Sequence, residues 1–228
     1  MGLTQELKEF LVQAGAKLVG VGDLSGLGQD YPRGIAVALP LPKQVLQDLQ
    51  TAPTREYYQV YQKLNETLDR IITQGEQLLR EKGFHAYAQT TSRVRVDGNK
   101  RSPLPHKTVA TRAGLGWIGK NCLLVTPQYG AGVRLSSLLT DAPLDCSAPV
   151  EHSLCGSCNL CVESCPGKAL KGALWKKGME RRQLLDVQQC YQTQVAVMAK
   201  HTGIQTDLCG KCFAVCAYTQ RYLKQKND

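Results

Sequence analysis

The sequence predicts an α/β domain over residues 1–145 and a small, cysteine-dominated domain over residues 146–228. Two observations predict this. Up to Asp141, amphipathic helical segments alternate with short apolar runs, the pattern of helices packed on a sheet. Beyond Leu154 the strand signal fades, and eight of the ten cysteines of the chain follow.

The elements read in order. Thr4 is placed to cap a helix whose apolar face is Leu7, Phe10, Leu11 and Ala14. KLVGVGDL (Lys17–Leu24) and GIAVALPL (Gly34–Leu41) read as buried strands. Thr54 opens a long helix carrying Tyr57, Tyr61, Leu64, Leu68, Ile71, Ile72, Leu78 and Leu79, with Gly83 as its C-terminal stop. HAYAQT is a short strand, and DGNKRSPLPH a polar loop before the helix KTVATRAG. NCLLVT and GVRLSSLL read as a strand pair around the turn PQYGAG.

Charge and compartment follow from composition. No run approaches the roughly 20 apolar residues of a membrane span, and MGLTQELKEF has no signal-peptide h-region, so a cytoplasmic protein without a membrane partner is expected. Ten cysteines in a reducing compartment point to metal binding rather than disulfides, and suit an anaerobic cell. The net charge of +9 falls to about +5 once eight thiolates and two oxidised iron–sulfur cores are counted. That is a mildly basic surface suited to an acidic electron donor as much as to nucleic acid.

Cys155, Cys158, Cys161 and Cys165 form C-x2-C-x2-C-x3-C-P, the bacterial ferredoxin run, in which the fourth cysteine serves the other cluster. Cys209, Cys212 and Cys216 give C-x2-C-x3-C, with Cys190 alone before them. The assignment is one [4Fe–4S] cluster on Cys155, Cys158, Cys161 and Cys216 (cluster A) and a second on Cys165, Cys190, Cys209 and Cys212 (cluster B). Ala217 stands where a regular second motif has proline. Zinc is the competing reading. Four-cysteine zinc sites come as two separated C-x2-C pairs, which this run does not match. Cys122 and Cys146 are spare, a strand hydrophobe and a loop thiol.

TRAGLGWIGKN (Thr111–Asn121) holds Gly114, Gly116 and Gly119. Glycines let backbone approach a ligand closely, or make a tight connection at positive φ. Trp117 and Ile118 offer an apolar face to a planar cofactor. The G-x-G-x-x-G follows a helix rather than a strand, so it fails the context of a dinucleotide site.

AGLGWIGKNCLL, LCGSCNLCVESCPGKAL, the lone Cys190 and CGKCFAVC together resemble epoxyqueuosine reductase, a family similar to reductive dehalogenases in its cluster domain and cofactor-binding core. The resemblance spans roughly residues 93–218. It implies a nitroreductase-like α/β domain that binds a corrinoid, here cobalamin, and a ferredoxin-like domain whose two [4Fe–4S] clusters pass electrons to it. It also implies a corrinoid contact at Gly114, Leu115, Gly116, Trp117, Gly119, Lys120 and Asn121, with Lys120 meeting an amide or phosphate. A flavin in the same cleft is an alternative. Tyr57, Tyr58 and Tyr61 either line that pocket or pack the core.

Two departures shape the functional expectation. Family members carry an aspartate, the proton donor, in a D-x-G-P-[VL]-L-E block. Aligning on Pro103 puts Lys100 at the aspartate and His106 at the glutamate. Asp97, shifted by three, and His106 are the substitutes, His106 having an ordinary pKa near neutrality. The sequence also ends at Asp228, where family members continue into a helical-repeat domain that helps hold tRNA. Tyr218, Arg221, Tyr222, Lys224 and Lys226 read as a short solvated basic tail. The expectation is therefore an iron–sulfur, corrinoid-binding oxidoreductase fed by a low-potential donor such as ferredoxin or flavodoxin. It would serve a bound corrinoid or a corrinoid protein, with tRNA set aside as a partner. The alternatives are a short epoxyqueuosine reductase acting on tRNA, a non-catalytic electron-transfer or corrinoid-carrier protein, or a flavin reductase.

Overall fold

Leu7 and Leu11, one turn apart and wholly buried, fix α1 (Leu3–Gln13) into the core. In the computed structural model, which describes residues 2–225, the N-cap of α1 is Gly2 rather than Thr4. Thr4 lies inside the helix. Its hydroxyl donates to Asp145 Oδ2 at 3.2 Å and accepts from the Asp145 N–H at 2.8 Å. The residue expected to cap the helix instead pins a distant loop.

The chain divides into two compact units, each discontinuous in sequence. The first comprises Met1–Leu39, Lys63–Gly116 and Arg134–Val150; the second comprises Pro40–Gln62, Trp117–Val133 and Glu151–Asp228. The cysteine-rich unit thus includes two segments from ahead of residue 146.

After α1 come β1 (Leu18–Asp23), β2 (Arg33–Pro40), α2 (Lys43–Asp48), α3 (Arg55–Glu81), β3 (Ala86–Ala88), α4 (His106–Arg112), β4 (Trp117–Ile118), β5 (Leu124–Val125) and β6 (Val133–Thr140). The first unit is built on a four-stranded sheet of order β1-β2-β6-β3. β1 and β2 pair antiparallel from Leu18↔Ala38 to Asp23↔Arg33, and β3 pairs antiparallel with β6. Ile35 to Ala38 are fully buried on both faces, which explains the uninterrupted apolar run. The core joins Val21, Ile35 and Val37 to Leu68, Ile71, Ile72 and Leu138. α3 starts where Thr54 Oγ1 accepts the Tyr57 N–H at 3.1 Å, and the chain leaves it through Gly83 at φ +87. α4 lies so close to β1 that a Cβ at Gly20 would sit 2.4 Å from the Ala113 carbonyl oxygen. That approach is why the strand carries glycine there.

The expected strand pair around PQYGAG does not form. β5 pairs with β4 (Trp117↔Val125, Ile118↔Leu124), while β6 belongs to the larger sheet. Thr126 and Gly130 make one bridge and close a tight turn, after which the chain departs. Alternation of apolar residues identified the strands but carries no information on which edge each one meets.

The second unit continues with α5 (Leu160–Glu163), a 3-10 turn at Arg181–Gln183, α6 (Val187–Thr202), α7 (Lys211–Ala214) and α8 (Ala217–Lys224). α6 is capped by Asp186, whose carboxylate accepts the Gln189 N–H at 3.0 Å, and ends at Gly203 with φ +77. Ile118, Cys122, Cys161, Leu170, Leu184 and Leu185 pack together. α8 is not a solvated tail. Tyr218 packs edge-on against Trp117 (centroids 4.8 Å), Tyr222 against Tyr129 (5.1 Å), and Thr219 is wholly buried. Tyr57 is also packed, edge-on to Phe213 at 6.1 Å. Lys226 lies outside the described residues. No described helix is long and apolar enough to cross a membrane.

Candidate metal centres

The ferredoxin run folds as a tight loop into α5. Gly156 takes φ +53, and Cys161 falls on the short helix itself. Cys216 comes from the other end of the unit, at the N-cap of α8. Cys155, Cys158, Cys161 and Cys216 line one pocket, together with Lys120, Asn121, Val125, Ala217 and Tyr218. Burial pushes the Cys161 thiol up to about 12, and the neighbouring Cys216, Cys155 and Cys158 push in the same direction. Burial raises Cys216 too, partly offset by the backbone N–H groups of Thr219, Tyr218 and Ala131 that face its sulfur.

A second set forms around Cys212. Burial raises its pKa well above the ordinary thiol value, reinforced by Cys209, Cys161, Cys190 and Cys165. Cys190 is raised by burial, against a hydrogen bond from Gln194 Nε2 to its Sγ at 3.0 Å and the positive charge of Arg181. Cys209 is raised by burial, and Cys165 Sγ accepts the Ala169 N–H at 3.4 Å. Cys161 of the first set contributes to the field at Cys212.

Burial disfavours the thiolate forms of Cys161, Cys190, Cys209, Cys212 and Cys216. A cationic metal core supplies the charge that would make thiolates of them. The donors, their N–H···S bonds and the pocket between the first four fit [4Fe–4S] clusters.

The GLGWIGKN segment passes from the first unit into the second between Gly116 and Trp117. Gly114 is exposed at φ +72 and Leu115 half-buried, while Gly116 is buried. Trp117, Ile118, Lys120 and Asn121 are at most 6% exposed, so no flat apolar face is presented by Trp117 and Ile118. A Cβ at Gly119 would meet Asn121 Oδ1 and Val125 Cγ2 at 2.7 Å. A Cβ at Gly114 would meet the Ala148 carbonyl oxygen at 2.8 Å. These two glycines are required by the chain's own packing. Lys120 Nζ donates to Asn159 Oδ1 at 2.8 Å, and both Lys120 and Asn121 face the first thiol pocket.

Asp97 is exposed and shapes its own loop. Its carboxylate accepts the N–H groups of Asn99 and Arg101, each at 2.9 Å, while Lys100 takes φ +57. His106 opens α4 with Nδ1 2.8 Å from Ser137 Oγ. Burial, assisted by Arg134, lowers its pKa to about 4, with Asp69 opposing. The near-neutral pKa expected of His106 is therefore not what its surroundings give it. Sequence reading passed over Asn159, Gln194, Gln89 and Ser137. For the first two, the signal was spacing: Asn159 lies between two ligands, and Gln194 one helical turn after Cys190.

Fold and site define a mixed α/β protein with two sets of four cysteines. The particular kinship comes from comparison. The 4Fe-4S double cluster binding domain family matches residues 154–219. The epoxyqueuosine reductase of Lactococcus garvieae (strain Lg2) is 41% identical over 119 residues, covering 49% of this chain and 31% of the relative. That of Synechococcus sp. (strain CC9605) is 32% identical over 143 residues, covering 56% and 39%. Among these two, the chain spans less than half the relative's length. A crystal structure of epoxyqueuosine reductase with a tRNA-Tyr epoxyqueuosine-modified tRNA stem loop matches 96% of this chain and 65% of that one, with a TM-score of 0.62 at 23% identity. The catabolic reductive dehalogenase NpRdhA matches 93% of this chain and 31% of that one, with a TM-score of 0.73 at 17% identity. The fold is thus similar to both enzyme groups. The sequence relatives are epoxyqueuosine reductases, and together with the reductase solved on a tRNA stem loop they correct the setting aside of tRNA. It rested on the end of the sequence, on Lys100 at the position of the family's aspartate and on the modest net charge, whereas the likeness to a reductase solved with a tRNA stem loop extends over nearly all of this chain.

Proposed function

We propose that this chain is an iron–sulfur reductase of the epoxyqueuosine reductase type, directed at epoxyqueuosine in tRNA. The observation that carries the reading is the division of eight cysteines into two sets of four within a domain matched as a double cluster domain. Cys155, Cys158, Cys161 and Cys216 would hold one cluster, and Cys165, Cys190, Cys209 and Cys212 the other. When bound, the clusters supply one-electron storage at low potential. The chain's own residues direct N–H groups at the sulfurs of Cys216, Cys190 and Cys165, which would favour the thiolate ligands of a bound cluster.

The terminal cofactor is read as cobalamin and the first unit as a nitroreductase-like cofactor domain. The dehalogenase-like fold supports this, one such neighbour being described by a mechanism for B12-dependent dehalogenation. A low-potential ferredoxin or flavodoxin is the donor this reading requires. A second reading, electron delivery to a corrinoid without proton transfer by this chain, is favoured by one observation. Asp97 is committed to its turn, and His106 is a neutral imidazole near pH 7.

The test is anaerobic reconstitution with iron, sulfide and cobalamin, followed by reaction with epoxyqueuosine-containing tRNA and an excess of a strong chemical reductant, which supplies the two electrons. The proposed reading predicts a base-off cobalamin spectrum and conversion of epoxyqueuosine to queuosine. Cobalamin reduction without conversion of the tRNA supports the second reading. Bound flavin with no cobalamin spectrum rejects both.

A further inference from the structure

Lys120 is 6% exposed, and its ammonium donates to one neutral acceptor, Asn159 Oδ1 at 2.8 Å. Asn159 sits between Cys158 and Cys161, and Lys120 itself lines the pocket of Cys155, Cys158, Cys161 and Cys216. An ammonium has three donors, and burying it without negative charge nearby is costly. No carboxylate lines that pocket. The charge that answers Lys120 is the thiolate set itself. Four thiolates around an oxidised cubane core leave a net charge of about −2, and reduction adds one more negative charge.

We propose that Lys120 is a positioning residue for cluster A that selectively stabilises its reduced state. Its charge raises the potential of that cluster, while its bond to Asn159 tethers the ligand loop. The inference rests on the two-cluster reading above. The attraction grows as the cluster gains an electron, so it favours the reduced form by more than the oxidised form. In a buried site that difference is little screened by salt. Lys120 lines the pocket of the cluster A cysteines, whereas the cations beside Cys190 and Cys209 of cluster B are Arg181 and Lys211, so the effect of Lys120 is larger on cluster A.

The experiment is an anaerobic redox titration followed by EPR on the reconstituted full chain, with iron counted first. Lys120→Met is expected to keep both clusters. It should lower the reduced-to-oxidised ratio of one cluster about tenfold at fixed potential, a shift of about 59 mV downward for one electron. Asn159→Ala, which cuts the tether but keeps the charge, should move the potential much less. Equal shifts in both clusters, or none with full iron, overturn the proposal. An absence of iron in the unaltered chain overturns instead the two-cluster reading.

If Lys120→Met does not assemble, the unaltered chain answers the question. With lysine labelled by 15N at Nζ alone, pulsed EPR of the reduced protein should show a lysine side-chain nitrogen coupled to cluster A. Lys120→Arg should remove that coupling while keeping the potential near its original value. Absence of the coupling, or its persistence in Lys120→Arg, overturns the assignment.

Discussion

Ser137 and His106 hold each other in a fixed sense. Gln89 Nε2 donates to the Leu104 carbonyl (3.3 Å), so Gln89 Oε1 faces Ser137 and accepts its hydroxyl proton at 2.6 Å. Ser137 Oγ, its one proton committed, accepts at 2.8 Å from His106 Nδ1–H. His106 is therefore the Nδ1 tautomer, with a lone pair at Nε2. At neutral pH that nitrogen accepts hydrogen bonds and has no proton to give.

The pH dependence follows. The pKa of His106 is lowered from 6.5 to about 4 by burial, then by Arg134 on β6, against Asp69 on α3. Between these values the unfolded chain binds the proton and the folded chain does not, so stability falls as pH drops from 6.5 towards 4. Its imidazole should titrate near 4 by NMR, with 15N shifts of the Nδ1–H tautomer at pH 7. Replacement by Gln should remove up to about one proton from the uptake on unfolding in that window. Titration at 6 or above would show the relay to be absent.

Iron content separates the ligands from the spare thiols. The unaltered chain should hold about eight irons and eight sulfides. Cys190→Ser should leave about four irons, because it removes one corner of one cubane. Cys146→Ser, on an exposed thiol, should leave the count unchanged. Cys122→Ser should also keep the iron but lower stability by about 1–3 kcal/mol, as a hydroxyl enters an apolar core. Stoichiometric zinc in place of iron would reject the cluster assignment.

Gly130→Ala tests how α8 is seated. At Gly130 (φ +61) an added Cβ would lie 2.1 Å from the Thr219 backbone nitrogen. Thr219 Oγ1 also accepts the Ala131 N–H at 3.0 Å, so the clash falls on the junction that presents Cys216. The substitution should cost about 1–3 kcal/mol or more by overpacking. Cluster A should be lost before cluster B on exposure to chelator, followed by EPR.

Trp117 offers a packing test. Its indole Nε1 is buried with no hydrogen-bond partner among the described residues, while its ring meets Tyr218. Trp117→Phe leaves a small cavity but removes an unsatisfied donor and keeps an aromatic contact, so it should cost about 1–2 kcal/mol, less than removal of the ring. Trp117→Ala should cost about 3–5 kcal/mol by chemical denaturation. Equal costs would mean that the edge-on contact contributes little.

Much of the organisation was legible in residue spacing. The cysteine run, the Thr54 start and Gly83 stop of α3, and the buried β2 run each carry a local physical requirement. Partnership at a distance was not legible. The Thr4 hydroxyl could serve a cap or Asp145 equally well by sequence, and β5 could meet β4 or β6. The pKa of His106 depends on burial and on Arg134, some 28 positions away by number. The packing of α8 was hidden because its basic residues dominate its composition, whereas Tyr218, Thr219 and Tyr222 determine its placement.

The first thiol pocket is closed by Cys216, whereas Cys165, Cys190, Cys209 and Cys212 all occur earlier in the chain. The second set takes two of its donors, and the first set its last, from the eight residues Cys209–Cys216. Neither donor set is complete without that stretch. Until α8 emerges and folds, Cys155, Cys158 and Cys161 are a partial set, open to capture by the wrong metal or to oxidation. A nascent chain that still holds Cys209–Cys216 inside the ribosome has no complete donor set to offer, so cluster delivery to either centre follows the release of that stretch.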